Sequence, residues 1–206
     1  MLTYIVSAIV GYAFGSVPTA YLLVKWKTRV DIRRAGSGNV GTMNTFDVTG
    51  SKALSVGVLV IDMVKGALAV LIVMWLMRND FEMLALAGLS AIAGHSFPVW
   101  LRFQGGRGLA TTAGVMLVVG WIFIIIWIAL WTGAYLSTRS VHAGNIIASL
   151  SSPLVVAIAP QELLAQTLPP YTSPTNLLFF SIVFCVIMLA THRQPLLSFL
   201  KRNYQS

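Results

Sequence analysis

Two stretches of the chain gather glycine, amide, hydroxyl and basic side chains at spacings suited to holding an anion. The first, residues 31–44, carries Arg33 and Arg34 followed by Gly36, Ser37, Gly38, Asn39, Gly41 and Asn44. Glycines let successive backbone N–H groups turn toward one concavity, and Ser37, Asn39 and Asn44 add neutral donors, a combination that suits a phosphate. Gly36, Gly38 and Gly41 also satisfy GxGxxG spacing. No predicted strand precedes them, so the context that gives that pattern meaning is missing and the match is rejected. A glycine-rich turn joining two helices explains the same residues without a ligand, and both readings stand at this point.

The second stretch, residues 94–112, centres on Gly105, Gly106, Arg107 and Gly108. Adjacent glycines let the backbone approach a ligand closely, Arg107 offers a planar fork for phosphate oxygens, and a helix beginning near Gly108 aims its first N–H groups at the same anion. The spacing of a Walker A loop is absent. His95 falls near the end of its helix, where it either orients a substrate or hydrogen-bonds a neighbouring helix. Trp100 and Phe103 read as residues of the interfacial aromatic belt. Asp62 and Lys65, at i and i+3 inside an apolar run, meet on one helix face. They are either an internal pair stabilising the helices or a route by which Lys65 touches an anionic substrate. His192 and Arg193 close the last apolar run, as a positive anchor or as another wall of the anion site.

The elements that must position these groups are membrane spans. Of 206 residues, 57% are hydrophobic and 10% charged, and the mean hydropathy is +0.81. A soluble domain carries about 25% charged residues, so a soluble reading fails, and the apolar runs exclude disorder and a coiled coil. The single Cys185 excludes an intrachain disulfide and reads as a buried, inert thiol. Five apolar blocks lie at residues 2–26, 53–77, 83–101, 109–136 and 175–190, with a weaker one at 141–159. A span needs about 20 apolar residues.

Fourteen Lys and Arg against six Asp and Glu leave a net charge of +8. The cations cluster at 25–34, at Lys52, at Arg102 and Arg107, at Arg139 and at 193–202, and the positive-inside rule places these on the cytoplasmic side. Asp80, Glu82 and Glu162 mark the external breaks. If Arg107 and Arg139 are both inside, the 28-residue stretch 109–136 must cross twice. Straight, it would measure about 42 Å against a core of about 30 Å, so a break near Gly120 is expected. The result is an all-α, polytopic bundle of seven transmembrane helices, with the N-terminus outside and the C-terminus cytoplasmic. It is read as one domain over residues 1–206, its first block an anchor and not a cleaved signal. The segment 159–174, with four prolines in sixteen residues, reads as an irregular external loop.

Taken together, Asp31, Ile32 and Arg33, the run 36–41 with Asn44, Asp62 with Lys65 and Gly66, Gly94 with His95, Phe97 with Pro98, Phe103, the run 105–108, Ala110 with Thr111, and His192 with Arg193 resemble the bacterial acyl-phosphate-dependent glycerol-3-phosphate acyltransferase family (PlsY type). Order and spacing agree along nearly the whole chain. The resemblance implies a multi-pass protein of the bacterial cytoplasmic membrane with its site on the cytoplasmic side. It implies transfer of a fatty acyl group from acyl phosphate to the 1-hydroxyl of sn-glycerol 3-phosphate, giving lysophosphatidate and phosphate. The partners expected are those two substrates and the lipid bilayer, with no nucleic acid, no cofactor and no metal. Residues expected to bind phosphate are Gly36, Ser37, Gly38, Asn39, Gly41, Asn44, Lys65, Gly105, Gly106, Arg107, Gly108, Thr111 and Arg193. His95, His192 and Ser37 are expected to assist the chemistry.

The chain departs from the family pattern in places. Asp47 stands where the pattern has Arg, and Gln104 and Arg107 stand where it has Lys. Residues 140–145 replace a Tyr-Val-Ser-Leu-Ala-Ser-like segment, and Pro195 begins a tail without an acid. Arg107 keeps its charge, whereas Asp47 reverses one. A carboxylate within about 4 Å of a phosphate opposes binding by roughly 4 kcal/mol per charge pair at an effective dielectric near 20. A diverged acceptor or a silent relative is therefore the second reading. A small anion transporter is the third, and it conflicts with the almost wholly apolar outer half of the spans.

Overall fold

The computed structural model describes residues 1–77 and 80–192. Among these every regular element is helical. They are α1 (Leu2–Gly15), α2 (Thr19–Thr28), α3 (Thr42–Thr49), α4 (Lys52–Met77), α5 (Phe81–Ser96), α6 (Leu109–Val119), α7 (Ile122–Thr138), α8 (Val141–Ile158), α9 (Gln161–Thr167) and α10 (Pro174–Thr191), with short 3-10 turns at Ile32–Arg34 and Val99–Leu101. Five stretches are long and apolar enough to span a bilayer: Leu2–Thr28, Lys52–Met77, Phe81–Leu101, Val141–Ile158 and Pro174–Thr191. Leu109–Val119 and Ile122–Thr138 are shorter apolar helices. The expected break of the 109–136 run occurs, with α6 ending at Val119 and α7 starting at Ile122 around Gly120.

Polarity is inverted along α4. Val60, Val64, Leu71 and Trp75 face outward while Asp62 and Lys65 are buried. Without water in the hydrocarbon, apolar groups face lipid and charged groups turn inward.

Two stretches differ from the sequence expectation. The first apolar block is not one helix: Pro18 offers no N–H, and the chain breaks between Gly15 and Thr19. The 159–174 segment is not wholly irregular, because its prolines flank residues 161–167 and leave them free to form α9.

The chain divides into two compact units, residues 1–118 and 119–206. In the first, helices meet backbone to backbone. A Cβ at Gly11 or Gly15 of α1 would strike the Ala87 or Ala91 carbonyl of α5, one at Gly94 would strike Tyr12 O, and one at Gly114 of α6 would strike the Met63 carbonyl of α4. Small residues four apart permit this approach between helices in lipid. Beneath the polar segments, Ala20, Val24, Ile32, Val40, Val58 and Leu101 form one buried cluster.

In the second unit, side chains do the joining. Trp127 Nε1 donates to Ser149 Oγ at 3.2 Å and Trp131 Nε1 to Asn145 Oδ1 at 2.7 Å, tying α7 to α8. Phe123 meets Phe184 of α10 edge to face, with ring centroids 5.6 Å apart.

Candidate active site

The first glycine-rich segment is braced from within. Asp31 accepts the Arg33 N–H at 3.0 Å and pairs with the Arg33 guanidinium at 2.7 Å, which closes the 3-10 turn. The hydrogen bond and charge of Arg33 hold the Asp31 carboxyl below its usual pKa. Asn44, fully buried, is the hub: its Nδ2 donates to the Ile32, Ala35 and Asn39 carbonyls at 2.9–3.1 Å, and its Oδ1 accepts the Ser37 N–H at 2.8 Å. Gly36 and Gly38 have φ of +57° and +73°, and a Cβ on Gly36 would strike Asn44 Oδ1. Glycine is required there by conformation and space together.

The second segment hangs from the end of α5. The Gly105 and Gly106 N–H groups donate to the Ser96 and His95 carbonyls, both at 3.1 Å. Tyr12 of α1 donates to the Phe97 carbonyl at 2.8 Å and accepts the Val99 N–H at 3.1 Å, while Trp100 Nε1 donates to Ser16 Oγ at 3.0 Å. Gly108, with φ +81°, turns the chain into α6, where Thr112 Oγ1 donates to its carbonyl at 2.9 Å. Arg107 is partly buried, and that burial lowers its pKa from the usual arginine value. A guanidinium nonetheless stays charged at neutral pH.

The two segments are neighbours. The Val40 N–H donates to the Gly105 carbonyl at 3.4 Å, Arg33 Nη1 donates to the Leu101 carbonyl at 3.5 Å, and Ile32, Val40 and Leu101 share the buried cluster. Ser37 is exposed on the first turn, with Gly38 and Asn39 half-buried beside it. On α3 the Asp47 side chain is exposed, one turn beyond Asn44.

Lys65 and His95 lie beneath this surface. Lys65 Nζ is 2.7 Å from Asp62 Oδ1 and donates to the Val17 carbonyl at 2.8 Å, so its charge serves both the acid and the chain break before Pro18. His95 Nδ1 is 3.6 Å from the same Asp62 oxygen. Thr111 is buried, its carbonyl against Gly66. The first unit thus brings together the residue runs 36–44 and 105–108 with Lys65, His95 and Thr111. His192 belongs to the second unit, where it is buried at the end of α10 with Nδ1 3.0 Å from the Met188 carbonyl. Arg193 lies outside the described residues.

Sequence reasoning passed over Tyr12 and Ser16, which hold the 97–100 loop. Their signal was the spacing Gly11 and Gly15, which draws α1 against α5 and brings the adjacent face of α1 to that loop. Among the described residues no three His, Cys, Asp or Glu side chains converge on a point that would take a metal ion.

The long apolar helices and the two apposed glycine-rich turns define an integral-membrane helical protein. The family model for glycerol-3-phosphate acyltransferases matches residues 5–202, and the chain belongs to that family. It is 34% identical to a glycerol-3-phosphate acyltransferase of Thermoanaerobacter pseudethanolicus, covering 92% of this chain and 88% of the relative. It is 32% identical to one of Pelagibacter ubique, covering 94% and 92%. The crystal structure of PlsY, an integral membrane glycerol 3-phosphate acyltransferase, in its glycerol 3-phosphate form superposes with a TM-score of 0.80 at 31% identity, covering 96% of this chain and 92% of that one. The lysophosphatidic acid form of PlsY gives 0.78 at 30% identity.

Proposed function

We infer that the chain acylates the 1-hydroxyl of sn-glycerol 3-phosphate with acyl phosphate as donor, giving lysophosphatidate and inorganic phosphate. The observation that carries this reading is the hydrogen bond from Val40 to Gly105, which joins two glycine-rich turns into one surface bearing Arg107. Both substrates carry phosphate, and both need such a surface beside lipid. Acyl phosphate is a mixed anhydride with a good leaving group, so positioning and charge stabilisation suffice. The acceptor oxygen bonds to the acyl carbon, the bond from that carbon to the phosphate oxygen breaks, and the hydroxyl proton passes to the departing phosphate. Arg107 and the N–H groups at the start of α6 stabilise the growing phosphate charge. Ser37 Oγ adds a neutral donor to the same surface. His192 and Arg193, which the sequence resemblance implies, are assigned no step.

The same proposal takes residues 1–206 as one acyltransferase domain that crosses the bacterial cytoplasmic membrane seven times, N-terminus outside, with both turns on the cytoplasmic face. The charge pattern supports that orientation. The direct test is phosphate release from acyl phosphate by the purified protein, with and without glycerol 3-phosphate. Turnover that requires the acceptor is expected, with Arg107→Ala lowering kcat/KM about thirtyfold or more. No turnover with either acceptor state would defeat the reading.

A second reading, an acceptor other than glycerol 3-phosphate, is favoured by the exposed Asp47 carboxylate one turn from Asn44. Under it, Asp47→Arg raises activity with glycerol 3-phosphate severalfold. An unchanged KM for glycerol 3-phosphate in that variant removes this alternative.

A further inference from the structure

Asp62, Lys65 and His95 lie enclosed between α4 and α5, each less than a tenth exposed. Charged groups at that depth are costly, and they persist where they serve one another or a site. Two contacts connect this group to the turn above it. The Gly106 N–H donates to the His95 carbonyl at 3.1 Å, and a Cβ on Gly106 would strike His95 Nε2. The imidazole therefore forms the floor of the 105–107 turn. Its other ring nitrogen, Nδ1, faces Asp62 Oδ1 at 3.6 Å, outside hydrogen-bond distance but near enough for the carboxylate charge to favour a proton on that nitrogen and so orient the ring. Lys65 balances the Asp62 charge at 2.7 Å and donates to the Val17 carbonyl, so the pair on α4 is tied to the chain break between α1 and α2.

We propose that Asp62 and His95 are positioning residues for the reaction: Asp62 fixes the His95 ring, and the ring, pressed against Gly106, fixes the turn that carries Arg107. The inference rests on the acyl-transfer reading above and assigns His95 a place behind the site, out of contact with the reacting atoms. It also explains why position 106 has no side chain and why an acid stands inside a spanning helix. A displaced turn still holds its arginine but presents it at the wrong place, so phosphate affinity suffers before the chemical step does.

The experiment compares wild type with His95→Ala, His95→Gln, Asp62→Asn and the double variant Asp62→Asn/His95→Ala. The readouts are kcat, KM for acyl phosphate, KM for glycerol 3-phosphate, the Kd of inorganic phosphate, and the melting temperature in detergent. His95→Ala and Asp62→Asn should each raise the phosphate Kd and the KM of one substrate about tenfold, with kcat within about threefold. Which KM rises identifies the substrate whose phosphate the turn holds. His95→Gln should fall between wild type and His95→Ala, and the double variant should be no worse than His95→Ala alone, because both act through one ring. Should Asp62→Asn fail to fold, Asp62→Asn/Lys65→Met, which leaves no unpaired buried charge, is read in its place. Loss of kcat at unchanged KM and Kd, multiplicative defects in the double variant, or a lowered melting temperature with normal kinetics would each overturn the assignment. A wild type inactive in acyl transfer defeats the functional reading instead, and phosphate binding in the same samples still decides the positioning role.

Discussion

The two units of this chain hold their helices together by different means. In residues 1–118, Gly11 and Gly15 of α1 and Gly114 of α6 let backbone touch backbone, and no side chain separates the helices at those points. In residues 119–192, Trp127 and Trp131 reach across from α7 to hydrogen-bond Ser149 and Asn145 of α8. Lipid tails are as apolar as leucine, so neither unit draws on a hydrophobic force between helices within the bilayer. Close backbone contact leaves no rotamer to change and fixes helix ends within narrow limits. A tryptophan bridge tolerates small shifts. The glycine-packed unit is the one that carries both glycine-rich turns, and under the proposed function small displacements of a cation there are costly.

The sharpest way to break this comparison is Gly114→Leu. Its side chain must displace the Met63 backbone, and folded, monodisperse protein in detergent is expected to be lost; normal elution would show that the close approach is dispensable. Asn44→Ala comes next. It removes the donor to three carbonyls and the acceptor for the Ser37 N–H, so kcat/KM should fall roughly a hundredfold with a lower melting temperature. Retained activity would mean that the first turn holds its shape without the hub. Trp131→Phe, in the other unit, forfeits a single hydrogen bond, and about 0.6–1.7 kcal/mol of stability is expected to go with it while kinetics stay as in wild type. A loss as large as that of Gly114→Leu would erase the contrast between the units. The smallest effect belongs to Gly133→Ala in α7, where an added Cβ meets nothing within 4 Å. Thermal unfolding should show a gain of about 0.5–1 kcal/mol, since alanine favours the helix that glycine tolerates.

Residue types and spacing were enough to predict spanning helices, the break at Gly120 and the two glycine-rich segments, because each depends on local composition. The break before Thr19 was also written in the chain, as Pro18, but an unbroken apolar run masks a proline whose neighbour Val17 offers its carbonyl to a lysine 48 positions away. Asn44 read as a phosphate donor because a short amide near glycines suits that use. Its geometry spends it on the backbone of its own loop, which no spacing rule distinguishes from a ligand contact. Lys65 was open between ion pair and substrate contact for the same reason, and the fold gives it Asp62 and Val17.

Sequence alone determined that this chain lives in a membrane and that glycine and arginine meet at 105–108. These follow from transfer free energies and backbone sterics, which act residue by residue. Only the tertiary structure decided that Val40 meets Gly105, that Tyr12 and Ser16 hold the 97–100 loop, and that His95 stands under Gly106 facing Asp62. Such pairings join residues far apart in sequence, and they arise from which helix faces can approach closely enough to touch.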